Sequence, residues 1–321
     1  MSADNDNRGE VMGHLDGRVV LVTGAARGVG RAHALLMAAE GAKVVVNDLG
    51  GEQDGSGGAV GPAQEVVDEI AAMGGEAIVN GDSVTDAEGV KRMIATAVDT
   101  FGDLHAVVNN AGILRDRMLV SMSEEEFDSV VDVHLKGTWL VMHHAANYWR
   151  EQTKAGAEVQ ASIVNTSSTS GLHSNVGQGN YGPAKSAIAT LSIIGAQELA
   201  KYGVRVNALA PGARTRMTLS TPGLGERIGA PDDGSFDQWD PANVSPLIAW
   251  LCKADCPATG QVYSLAGSRL GRYLEWSKAD VAFADGRWEI DEIDRVAGAW
   301  ETGHVSTRNL LVTGTEEVQQ P

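Results

Sequence analysis

Thiols, aromatic rings and positive charge are all scarce in this chain. Of its 321 residues two are cysteine, 5% are aromatic, and 25 Lys and Arg face 42 Asp and Glu. Each shortage excludes something. Cys252 and Cys256 are too few for a disulfide framework, and a C-x-x-x-C pair with no histidine beside it is a poor metal site, so no metal is expected. They read as two ordinary thiols near a helix end in a reducing setting. A formal net charge of −17 argues against nucleic acid or anionic membrane as partners, because such surfaces repel an acidic protein at long range. Any anionic substrate then has to be held by local positive charge. Nothing in the sequence approaches the ~18 consecutive apolar residues of a membrane span, and the opening "MSADNDNRGEVMGH" has no apolar signal core. The last residues, "VQQP", are not an S-K-L address, so a cytoplasmic location is expected.

What is present has a rhythm. With 43% hydrophobic residues the chain buries a substantial core, and short β-branched runs alternate with longer segments of helical period from Arg18 onward. Strands are expected at 18–23, 43–48, 76–81, 104–110, 161–167, 204–209 and 260–265, with helices at 29–40, 62–73, 85–100, 123–150, 180–202 and 242–253. That pattern predicts a Rossmann-like, doubly wound, seven-stranded parallel sheet in a three-layer α/β/α domain spanning 15–266. Residues 1–14 read as a disordered tail, the glycine-rich 49–61 as a flexible loop, and 211–240, rich in Gly, Pro and Asp, as a mobile connection or lid. Residues 267–321 form an extension that is expected to pack on the domain or on a partner subunit, since Ile290, Ile293, Val296 and Trp300 recur near helical spacing.

The chemistry-bearing residues fall at the ends of these strands. "TGAARGVGR" follows the first strand and opens the first helix. There Gly24 permits the tight turn, Gly28 and Gly30 let the backbone approach a pyrophosphate, and Arg27 and Val29 complete the turn. Asp48 ends the second strand, where a carboxylate accepts hydrogen bonds from a ribose and repels a 2′-phosphate. NAD is therefore expected over NADP, with Arg27 the one contrary sign. Asp82, Ser83 and Val84 after the third strand and Asn110, Ala111 and Gly112 after the fourth lie at the carboxyl ends of the sheet, where ligands of open α/β folds bind. Pro211, Gly212 and Thr215, at and after the end of the sixth strand, join the cofactor-binding candidates. Tyr181 and Lys185 are four apart on one helix face, and Ser168 stands thirteen residues before Tyr181 at the end of a strand. A tyrosine whose phenolate is favoured by a nearby ammonium can exchange a proton with an alcohol or ketone. His143 and His144, adjacent on a helix, point apart and make no metal pair.

The combination of T-G-x-x-x-G-x-G, N-N-A-G, S-x12-Y-x3-K and the "PG" at 211–212 resembles the short-chain dehydrogenase/reductase superfamily over residues 15–266. Within it, "VVVNDLGG", "NNAGILRDR", "VHLKG", "GQGNYGPAK" and "WLC" resemble the (3R)-hydroxyacyl-CoA dehydrogenase units of peroxisomal multifunctional enzymes of type 2. The resemblance implies that Ser168 holds the substrate oxygen, Tyr181 is the acid/base, and Lys185 binds the nicotinamide ribose, Tyr181 and Lys185 thereby also touching the cofactor. It further implies that His134 stands where most of the superfamily has an Asn anchoring a proton relay. An imidazole suits that task, bonding backbone with one nitrogen and water with the other, with an unperturbed pKa near ~6.5. The expected activity is an NAD-dependent oxidation of a secondary alcohol, foremost a 3-hydroxyacyl-CoA, by a homodimer or homotetramer built on helices 123–150 and 180–202. Arg115, Arg117, Arg214 and Arg216 would hold the CoA at the cleft mouth. A hydroxysteroid dehydrogenase of the 17-beta type, a carrier-protein ketoacyl reductase and a non-catalytic nucleotide-binding scaffold remain as alternatives. Residues 211–240 would separate the substrates, and a Tyr181→Phe control the scaffold.

Overall fold

Valine-rich segments with both faces buried build the centre of the molecule. In the computed structural model, which describes residues 13–51, 57, 61–219, 228–274 and 276–300, β1 (Val19–Thr23) and β2 (Lys43–Asn47) are buried along almost their whole length. They are followed by β3 (Glu76–Asn80), β4 (Ala106–Asn109), β5 (Ala161–Thr166), β6 (Val204–Gly212), β7 (Val262–Ala266) and β8 (Arg269–Tyr273). The order across the sheet is β3-β2-β1-β4-β5-β6-β7-β8, and β1 to β7 pair in parallel, with Leu21 opposite Val45 and Val107. Strands buried on both faces are what a parallel sheet under helices requires. Helices α1 (Gly28–Ala39), α2 (Gly61–Ala72) and α9 (Ser245–Cys252) cover Val20, Val22, Val44 and Val46. On the other face α3 (Ala87–Phe101), α5 (Gly137–Lys154) and α7 (Tyr181–Leu199) surround Val19, Leu21, Val45 and Ile163, and α4 (Glu124–Val131) packs against α7. Short α6 (Thr169–His173) and α8 (Arg216–Leu219) sit after β5 and β6.

Two features depart from the expected pattern. The sheet has eight strands rather than seven, and it continues past 266 to Tyr273. Only Gly267 and Ser268 link β7 to β8, with Gly267 at φ +55°, and so short a link allows only an antiparallel neighbour. "RLGRY" lacks a hydrophobic run because it is an edge, exposed along most of its length and carrying two arginines, the usual protection against edge pairing. The second departure lies inside the expected 123–150 helix. Between α4 and α5 the backbone makes one π-helical turn, Asp132–Lys136, and His134 is on it.

The chain divides into two compact units, 1–272 and 273–321. The described helix of the second, α10 (Ile290–Ala297), begins with a capping box between Glu289 and Glu292. The expected N-terminal tail falls, but for residues 13 and 14, outside the described residues, as do 52–56, 58–60 and 220–227 of the two expected loops and 301–321 of the extension.

Candidate active site

The strand order reverses direction between β1 and β4, and a cleft opens at their carboxyl ends, as expected where such sheets switch. Its walls include Gly24, Arg27, Gly28, Val29, Asp48, Asp82, Ser83, Val84, Asn110, Ala111, Gly112 and Thr215. Twelve positions singled out in the sequence are thus brought together from five loops. Gly24 has φ +65°, and a β-carbon there would lie 2.8 Å from the Ala111 Cα. Gly30 is placed differently from expectation. It does not line the cleft but turns inward, where a β-carbon would meet the Gly24 carbonyl oxygen at 2.1 Å. A glycine there lets helix and strand pack closely. Asn110 locks that turn from across the sheet, its Nδ2 donating to the carbonyls of Thr23 and Gly24 at 3.1 and 3.0 Å.

The donor set fits a nicotinamide dinucleotide. The N-cap of α1, Arg27, makes no side-chain capping bond, so the first amides of this helix remain open to an anion. Asp48 sits beside the glycine turn, each oxygen taking one backbone N–H, from Ala26 at 2.9 Å and Gly50 at 2.7 Å. An ionised carboxylate has further lone pairs for ribose hydroxyls. Asp82 is more constrained, since Arg92 binds its Oδ1 at 2.5 and 2.9 Å. Pro211 and Gly212 end β6 outside the cleft lining, and Gly212 packs on Ala266 and Trp239. The lining residues Leu49, Ile113, Val133 and Met217 carried no sequence signal, being generic apolar or loop positions, whereas Arg216 was among the arginines expected at the cleft mouth.

Ser168, Tyr181 and Lys185 converge beyond the β5 end. Ser168 is the N-cap of α6, its Oγ accepting from the Ser170 amide at 3.1 Å. Burial pushes the Tyr181 hydroxyl up to about 12, opposed by a hydrogen bond with Ser168 and reinforced by the charge of Asp116. Lys185 is buried, which brings its ammonium down to about 7. Its Nζ donates to the Thr166 carbonyl at 2.5 Å and lies 5.6 Å from the Tyr181 ring centroid.

His134 stands edge-on to Tyr181, ring centroids 5.0 Å apart. Its Nε2 is 2.8 Å from the Ile113 carbonyl oxygen and 3.1 Å from the Ile113 N–H, so by tautomer it either donates to the one or accepts from the other. Nδ1 is buried without a protein partner. Burial first and the Lys185 charge second hold the imidazole well below its ordinary value, so it stays neutral.

The arginines expected to hold CoA are largely engaged with acids. Arg117 pairs with Glu126 at 2.9 Å and Arg115 with Glu125 at 3.9 Å, Arg214 grips Asp237 through both terminal nitrogens, and Arg216 alone lines the cleft. Both thiols are buried, and Cys252 is pushed up to about 11 by burial. Among the described residues no group of His, Cys, Asp or Glu is arranged to hold a metal, and no helix is long and apolar enough to cross a membrane.

Comparison with known proteins agrees with this architecture. Residues 18–222 match the family model described as short chain dehydrogenase. A short-chain type dehydrogenase/reductase of Mycobacterium tuberculosis is 44% identical over 79% of this chain and 84% of its own. A hydroxyacyl-CoA dehydrogenase of the same organism, ChsB1, is 41% identical over 80% of this chain and 79% of its own. The peroxisomal multifunctional enzyme type 2 of Mus musculus is 39% identical over 89% of this chain, which spans only 36% of that enzyme. Among solved structures, a short chain dehydrogenase from Mycobacterium avium superposes with a TM-score of 0.78 at 49% identity, covering 89% of this chain and 95% of that one. With its glycine turn, its strand order and the convergence of Ser168, Tyr181 and Lys185, the chain belongs to the short-chain dehydrogenase family of oxidoreductases.

Proposed function

We propose that this enzyme oxidises 3-hydroxyacyl-CoA thioesters with NAD. The observation that carries the substrate is the 41% identity to a chain named hydroxyacyl-CoA dehydrogenase, joined by the similarity to multifunctional enzymes of type 2. Asp48 at the ribose corner of the cleft supports NAD, since a 2′-phosphate would meet a carboxylate there. Bound NAD supplies the hydride acceptor. Ser168 Oγ binds the substrate hydroxyl, and Tyr181 removes its proton as the carbonyl forms. Burial makes Tyr181 hold its own proton tightly, and the Lys185 ammonium is the positive charge that favours the phenolate. His134 stays neutral and keeps the Ile113 backbone in place beside them.

The test follows absorbance of the reduced nicotinamide while NAD or NADP is offered with 3-hydroxyacyl-CoA thioesters and hydroxysteroids. The expected result is turnover of the thioesters with NAD, reduced by ~10²–10⁴ in Tyr181→Phe. Turnover of steroids alone would overturn the substrate. Asp48→Asn removes the charge while keeping one acceptor, and is expected to shift the NAD to NADP ratio of kcat/KM by ~10² toward NADP, several kcal/mol being the usual cost of juxtaposed like charges. An unchanged ratio would remove Asp48 from cofactor choice.

We further infer a homo-oligomer built on α4, α5 and α7, on which Phe127, Trp139 and Ile194 remain exposed. Two buried free thiols support a reducing, cytoplasmic setting.

A further inference from the structure

Asn180, the residue before Tyr181, has no exposed surface and uses its whole carboxamide. Its Oδ1 accepts from the Tyr181 N–H at 2.7 Å and caps α7. Its Nδ2 donates to the Arg115 carbonyl at 2.9 Å and to the Glu126 carbonyl at 3.0 Å. Three separate segments, the start of α7, the loop after β4 and the first turn of α4, are thus joined through one side chain.

The same loop after β4 is held at its neighbouring positions by elements around the tyrosine. Ile113 is bound by His134, Gln178 Nε2 donates to Asp116 at 2.9 Å, and the Arg117 N–H donates to the Gly177 carbonyl at 2.8 Å. Glu126 closes the ring, since its carboxylate takes the Ser123 N–H and Arg117 while its carbonyl takes Asn180. Asn180 is the member of this frame covalently joined to Tyr181.

We propose that Asn180 is a positioning residue for the reaction, fixing where the Tyr181 hydroxyl stands relative to substrate and cofactor. This rests on Tyr181 being the acid/base. Asparagine fits because it alone, at this length, offers an acceptor to the next amide and two donors outward. Aspartate keeps the acceptor and turns both donors into acceptors facing carbonyl oxygens. Rate depends steeply on such placement, a displacement of ~1 Å costing as much as ~10². Asn180 itself does not line the nucleotide cleft, to which the loop after β4 contributes Asn110 to Ile113.

The test compares the full-length enzyme with Asn180→Asp and Asn180→Ala, measuring kcat, KM, NADH affinity by nicotinamide fluorescence, and thermal unfolding. The expected result is a ~10–100-fold loss of kcat with NADH affinity held within about twofold, in a folded protein. An unchanged kcat, a loss of NADH affinity in step with kcat, or failure of both variants to fold would each overturn the proposal. A Tyr181→Phe control separates the two readings. If that variant keeps full activity, the acid/base assignment fails. If it is inactive while the Asn180 variants turn over normally, only the positioning role fails.

Discussion

Gly112 and His134 constrain one another at the centre of the site. A β-carbon on Gly112 would stand 2.3 Å from the His134 Cε1 and 3.1 Å from its Nδ1, and the ring is 1% exposed. Gly112→Ala is therefore overpacking, expected to cost ~1–3 kcal/mol and to lower the melting temperature by ~2–4 °C for each kcal/mol. Shortening the ring relieves the clash, so His134→Asn in the Gly112→Ala background is expected to restore much of the loss. Thermal unfolding of the two single variants and the double variant checks this. Additive losses would mean that the two positions do not share the space. Sequence identifies both residues, and it places His134 on a helix. It does not show the ring against Gly112, because that contact depends on how the loop after β4 meets the α4 and α5 region.

Helix α1 and helix α9 meet through another histidine, and their contact sets a pH dependence. His33 on α1 is buried, its Nδ1 2.9 Å from the Ser245 Oγ at the start of α9, and burial brings its pKa down to about 3. In the unfolded chain the value is ~6.5, so protonation favours unfolding. The stability tied to a neutral His33 is complete above pH ~6.5 and is lost as pH falls from there toward the folded value, roughly 1.4 kcal/mol at pH ~5.5. Urea unfolding at pH ~7.5 and ~5.5 should show that loss, and His33→Asn should reduce the difference between the two pH values by about that amount. An equal difference in the variant would show that His33 is not buried neutral. At this scale the strands and most helices are legible, since "VVLV" and "KVVVN" are β-branched runs that read as buried strands and the longer segments between them carry helical period. The π turn at Asp132–Lys136 is not, because one extra residue in a turn leaves the apolar spacing of a helix nearly intact. Strand β8 is missed for the opposite reason, an edge having no apolar face to read, although Gly267-Ser268 is a two-residue hairpin signal. Asn180 and the pairing of Arg214 with Asp237 are likewise invisible in sequence, since both join segments far apart along the chain.

Over the whole molecule the net charge of −17 opposes any polyanionic substrate, and the local arginines offset it less than their number implies. Arg117 and Arg214 are each held by a carboxylate, and Arg115 lies near Glu125, so these side chains present ion pairs rather than bare cations. A CoA thioester approaching this surface is then slowed by long-range repulsion, which salt screens over a Debye length of ~10 Å at 0.1 M. The second-order rate constant for a CoA thioester is expected to rise, by about twofold or more, as ionic strength increases from ~0.02 to ~0.15 M. The matching thioester of a short neutral thiol carries no such charge and should respond little, which removes general salt effects on the enzyme from the comparison. If kcat/KM for the CoA thioester falls with salt while that of the neutral thioester stays level, a local cationic site outweighs the global field. Arg216, the arginine of the four that lines the cleft, would then be the first residue to replace.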